Sequence, residues 1–138
     1  MEDSESTRGR AGELLYEYLA AIPDIDRLRE LLHPDVSFTL HVPSGKTNTG
    51  RERILRGLTK EFATFYRSES FQLEVLESFG LNDRAAARFT ITAETEKGPY
   101  RNDYAIIARF VDDLLFEAWE YCDSASARIQ LGVAARER

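Results

Sequence analysis

Between Tyr100 and Asp123 the sequence alternates with period two on both sides of Asp112-Asp113, which demands two neighbouring antiparallel strands joined by a tight turn. On the first strand Tyr104, Ile106, Ala108 and Phe110 share one face, and Arg101, Asp103, Ala105, Ile107 and Arg109 share the other. On the second, Ala118, Glu120 and Cys122 alternate with Trp119, Tyr121 and Asp123. Glu120 therefore falls in a row of small and apolar side chains. An ionised carboxylate is costly to desolvate, so Glu120 must pair, titrate upward or do chemistry. Two readings follow: a strut paired with Arg88, Arg101 or Arg109, or an acid or base in the wall of a pocket.

The rest of the chain supplies a cover for that apolar face. Leu14, Leu15, Tyr18, Leu19 and Ile22 form one helical stripe that Pro23 closes. Asp24 suits the cap of a second, short helix, with Ile25, Leu28, Leu31 and Leu32 inward and Pro34 as its stop. Val36 to Val42 alternates as a strand, with Phe38, Leu40 and Val42 on one face, and a loop follows from Pro43 to Asn48. Thr49-Gly50-Arg51-Glu52 reads as a capping box opening a third helix, whose stripe is Ile54, Leu55, Leu58, Phe62 and Phe65. From Ser70 the pattern turns to long strands, with turns at Gly80 to Asp83 and at Gly98-Pro99. Helices first and a four-strand meander after predict an α+β fold, about three N-terminal helices packed over a curved antiparallel sheet. The stretch after Ser124 reads equally as a strand through Ile129 and Leu131 or as a short helix.

The 138 residues suit one domain, expected over 13–131 between a flexible segment 1–12 and a flexible tail 132–138. A net charge of -6 and the lack of a long basic cluster argue against nucleic-acid binding. Cys122 is the only cysteine, which excludes an intramolecular disulfide and a cysteine metal cluster. No apolar run approaches membrane-spanning length and the N-terminus lacks a signal-peptide pattern, so a cytoplasmic protein away from membranes is expected. Gly45-Lys46-Thr47 lacks the first glycine and the following helix of a phosphate loop, and His33 and His41 lack a clustered third metal ligand. No metal or cofactor is expected.

Three stretches, taken in order, resemble the cone-shaped fold of the nuclear transport factor 2-like superfamily. They are Tyr18-Leu-Ala-Ala; His33-Pro-Asp-Val with His41-Val-Pro-Ser-Gly and Gly50-Arg-Glu; and Ala118-Trp-Glu-Tyr-Cys-Asp123. That superfamily holds ketosteroid isomerases, limonene epoxide hydrolases and SnoaL-like polyketide cyclases. The ketosteroid isomerase resemblance implies Tyr18 as the first-helix tyrosine, but puts His41 or Val42 where the base belongs and Ile106 where the oxyanion Asp belongs. The epoxide hydrolase pattern meets Arg88-Phe-Thr90, which lacks one carboxylate, while Glu120 matches the other. SnoaL-like cyclases place an acid or base in the last strand, where Glu120 stands.

The resemblance implies a SnoaL-like enzyme that moves a proton on a hydrophobic metabolite without a cofactor. Glu120 would be acid or base, His41 would assist as an imidazole that titrates near neutrality, and Tyr18 or Tyr104 would orient a substrate oxygen. Phe38, Phe62, Ile106 and Phe110 would line the pocket. The alternative is a non-catalytic module that holds an apolar ligand or only dimerises. Trp119 and Tyr121, large aromatics on the outer sheet face, are expected to anchor a homodimer.

Overall fold

The computed structural model describes residues 5–40, 45–67 and 69–131. Helix α1 (Glu5–Ala21) and helix α2 (Ile25–Leu31) lead into strand β1 (Leu32–Leu40), a short strand β2 (Thr47–Thr49) and helix α3 (Arg51–Phe65). The meander follows as β3 (Gln72–Leu81), β4 (Arg84–Thr95), β5 (Gly98–Val111) and β6 (Leu114–Cys122), and helix α4 (Ser124–Leu131) comes last. The six strands make one curved sheet in the order β2-β1-β6-β5-β4-β3. The fold is α+β as expected, with the sheet mixed in one place, because β1 docks parallel to β6.

Helix α1 buries Leu14, Leu15, Tyr18 and Leu19 against the sheet. It is kinked at Gly9 (φ 73°), and past the kink Ala11 is buried and Gly12 seats on β3. A Cβ on Gly12 would lie 3.0 Å from backbone atoms of Phe79, and one on Gly80 would lie 2.8 Å from the Gly12 nitrogen. Two glycines thus let helix and strand touch backbone to backbone, and Ser78 Oγ donates across the contact to the Gly12 carbonyl at 2.7 Å. The tail from 132 onward lies outside the described residues.

Asp24 caps α2, its Oδ1 accepting from the Arg27 amide. The helix ends at Leu31, ahead of Pro34, and the chain passes straight into β1; His33, preceding a proline, is biased to extended backbone. The expected capping box does not form. Thr49 belongs to β2, Gly50 takes the N-cap position with φ 105° and no side-chain cap, and the Glu52 carboxylate is held instead by Arg29 at 3.0 and 3.2 Å. That bidentate ion pair pulls the Glu52 carboxyl below its usual range.

The hairpins follow the alternation. Asp112 and Asp113 both adopt positive φ, 54° and 64°, the backbone of a two-residue hairpin turn that matches strand twist. The β4–β5 turn falls at Glu96-Lys97, just before the expected Gly98-Pro99. Helix α4 resolves the open reading of the last segment: Asp123 Oδ1 accepts from the Ser126 amide and starts it. Strand β6 stops opposite Tyr104, and beyond that point the Gln130 amide takes its place, accepting from Arg101 N at 2.9 Å and donating to Arg101 O at 3.0 Å.

Candidate active site

Glu120 sits between Leu40 of β1 and Ile106 of β5 in register, so the parallel docking of β1 completes its apolar surroundings. The concave face of the sheet, α1 and α3 enclose a cavity of about 320 Å³. Of the residues singled out from sequence, Tyr18, Phe38, Phe62, Tyr104 and Glu120 line it. Ile106 and Phe110 do not: both are packed in the core beside it, Ile106 fully buried under the same row of the sheet. His41 and Val42 lie outside the described residues.

Burial, followed by the negative charge of Glu61, pushes the Glu120 carboxyl up to about 8. The three arginines that the strut reading assigned to it are engaged elsewhere on the outer face. Arg88 pairs with Glu77, Arg101 with Asp103 at 3.5 Å, and Arg109 with Glu117 at 2.8 Å. Arg88 is thus an outer-face residue, as the alternation of β4 requires.

Glu61 is the site residue the sequence reading missed. It lies on α3 and lines the cavity together with Glu120, and burial raises its carboxyl as well. The signal was present, since Glu61 comes three residues after Leu58 and seven after Ile54, on the stripe that faces the sheet. An acid in that stripe faces the apolar interior. Gly57, on the same side of α3, also lines the cavity, and a Cβ built there meets nothing within 4 Å.

Aromatic rings make most of the remaining wall. Phe89 and Tyr104 stack with centroids 5.1 Å apart, and Phe62 meets Phe71 edge-on at 5.2 Å. The Tyr104 hydroxyl is hydrogen-bonded to the Tyr100 hydroxyl at 2.5 Å. Burial holds Tyr18, Tyr66 and Tyr104 well above the usual phenol range, with the nearby carboxylates adding to it in each case. These phenols stay protonated and able to donate. A smaller cavity of about 50 Å³ lies against the same carboxyls and against Cys122, whose thiol burial pushes up to about 11. Among the described residues no three His, Cys, Asp or Glu side chains group as metal ligands.

A curved sheet covered by helices is also what comparison with known proteins returns. The model of the SnoaL-like domain matches residues 15–118. The chain belongs to the SnoaL-like domain family. Among curated proteins none matches the sequence. Among solved structures, the chain is similar to a hypothetical protein with a ketosteroid isomerase-like fold from Catenulispora acidiphila, solved in complex with trimethylamine. The two share 18% identity over 91% of this chain and 97% of that one, with a TM-score of 0.75. It is similar to an NTF2-like protein of unknown function from Burkholderia pseudomallei, at 16% identity, 89% and 98% coverage and a TM-score of 0.76. It is similar, too, to IdmH of Streptomyces antibioticus, proposed to be a polyketide cyclase, at 21% identity, 91% and 100% coverage and a TM-score of 0.73. At these identities the likeness carries the fold. Among the described residues no helix of this SnoaL-like chain is long and apolar enough to cross a membrane.

The open space at Gly57 gives a first expected result. A glycine inside a helix costs roughly 0.5 to 1 kcal/mol against alanine, and here no contact demands it. Gly57→Ala should raise the melting temperature by a few degrees, read by calorimetry; a lower melting temperature would show that α3 needs the space for a packing partner.

Proposed function

We propose that this SnoaL-like chain is an enzyme that moves a proton on a small hydrophobic metabolite, with Glu120 as the acid or base. One observation carries the reading: a carboxyl held near 8 in an aromatic-lined cavity of about 320 Å³. A group that titrates near working pH can both give and take a proton, which is what general acid–base catalysis needs. Near neutral pH Glu120 is mostly protonated and able to donate to a carbonyl, epoxide or hydroxyl oxygen. Tyr18 and Tyr104, phenols that burial keeps neutral, would hold that oxygen in place. The ketosteroid isomerase-like protein from Catenulispora acidiphila, solved with trimethylamine, supports a small organic guest in a cone of this kind.

Native mass spectrometry of protein taken directly from its host, followed by assay of any retained compound, tests this. The expected result is a retained small molecule that the wild type turns over and Glu120→Gln does not. Retention with no turnover by either protein would favour a non-catalytic binding module.

A homodimer belongs to the same proposal. Ile107 and Tyr121 are exposed on the convex face of β5 and β6, and Trp119 stands directly opposite Ile107. Light scattering behind size-exclusion chromatography at micromolar concentration should give about twice 15.8 kDa. A monomer would remove the interface role of Trp119 and Tyr121.

A further inference from the structure

We propose that the metabolite is a hydrophobic amine, bound in its protonated form with Glu61 of α3 as its counter-ion inside the aromatic-lined cavity. The inference rests on the proposed function and assigns separate roles to the two cavity carboxyls: Glu61 holds the charge of the ligand, and Glu120 exchanges the proton.

Glu61 is the starting point. It is half-buried, it faces the cavity, and no hydrogen bond or ion pair ties it to any described residue. A carboxyl drawn into an apolar cavity that no described residue partners is either kept protonated or satisfied by something that enters. What enters must be compatible with two carboxyls and with rings such as Phe62, Phe71 and Tyr66, which also line the cavity. An ammonium group meets both demands, by ion pairing with the carboxylate and by resting on ring faces. A neutral apolar guest meets only the second. The net charge of -6 favours the approach of a cation. Arg53, which also lines the cavity, is exposed at its rim and so contributes little against an ammonium held deep at Glu61.

The charge requirement makes the pH dependence diagnostic. A cation binds best when the carboxyls are ionised, so affinity should rise as pH climbs through the range in which they lose their protons. Around the site the phenols of Tyr18, Tyr66 and Tyr104 stay neutral and the Cys122 thiol titrates near 11. Among the described residues facing the cavity, Glu120 loses its proton near 8 and burial raises Glu61 above the usual carboxylate range, so both gain charge as pH climbs.

Phenethylamine and phenethyl alcohol share a skeleton and differ in whether the end group carries charge. Titration calorimetry of both against the wild type at about pH 6 and pH 9 should show the amine at least tenfold tighter at the higher pH, with that preference shrinking at the lower. Glu61→Gln should remove the preference by weakening amine binding. Because the pH comparison uses the wild type, the test stands even if the variant fails to fold. Alcohol binding equal to or tighter than amine binding at both pH values would overturn the amine assignment and leave the proposed function in place. Amine preference that survives Glu61→Gln in a folded variant would overturn it too, by putting the cation elsewhere. Binding of neither compound would count against the amine and the small-metabolite reading together.

Discussion

Glu120→Gln should melt at a higher temperature than the wild type at pH 8 and at nearly the same temperature at pH 4, while losing at least a hundredfold in turnover. The sign follows from linkage. The folded chain holds the Glu120 carboxyl up at about 8, whereas in the open chain it ionises near 4.3. Below about pH 4 both states carry the proton and the group contributes nothing. As pH rises from there the unfolded state gives up a proton that the fold retains, and stability falls by about 1.4 kcal/mol per unit. Above about 8 both states are ionised and the full cost persists, on the order of 3 to 5 kcal/mol. Glutamine keeps the volume and the hydrogen-bonding capacity and escapes that cost, so its advantage grows with pH to roughly 10 °C. The same substitution removes a proton that a substrate oxygen would receive, hence the lost turnover. A strut paired with arginine would give the opposite sign, a loss of roughly 3 to 5 kcal/mol from the stranded cation. Melting curves of both proteins across pH separate the two.

Gly80→Ala should lose roughly 2 to 4 kcal/mol, the largest effect expected of a single methyl group in this chain. The new Cβ would lie 2.6 Å from the Arg84 carbonyl oxygen and 2.8 Å from the Gly12 nitrogen, and neither backbone atom can turn away as a side chain would. Either β3 and β4 part at their turn or α1 lifts from the sheet. The second outcome also reaches the site, because Tyr18 on α1 and Ile22 just after it form part of the cavity wall. Ligand affinity should therefore fall together with the melting temperature. A variant that melts within a degree of wild type would show that α1 is not seated through these two glycines.

Much of this was legible in the chain because one face of each long strand is buried and the other wet. In β5 and β6 that contrast put Ile106, Ala108 and Ala118 inside and Arg109 and Tyr121 outside, and it placed Glu120 on the concave side. Tyr18 and Phe38 were legible for the same reason, each belonging to an unbroken apolar stripe. What escaped depends on partners far away in sequence. The capping box at Thr49 was a sound local pattern, but Arg29 offers Glu52 two hydrogen bonds where a cap offers one. The parallel docking of β1 against β6 brings Leu40 beside Glu120 across most of the chain, which no local periodicity encodes. The contact of Gly12 with Gly80 is likewise a matter of tertiary approach. Glu61 is a different kind of miss: its position on the α3 stripe was readable, and counting only apolar members of the stripe hid it. Ile106 and Phe110, expected in the pocket wall, share its face of the sheet but are covered by core packing.

The central claim is that two carboxyls in one apolar cavity, Glu61 and Glu120, titrate above the usual carboxylate range, Glu120 near 8. Carbon-13 NMR of protein labelled at the glutamate side-chain carboxyls, followed from about pH 3 to pH 10, measures this without any ligand. The account predicts two resonances that titrate above the rest, one of them near 8 and absent from Glu120→Gln, and the other still raised in that variant because burial alone raises it. A titration in which every glutamate, Glu120 included, ionises between about 3.5 and 5 would contradict it.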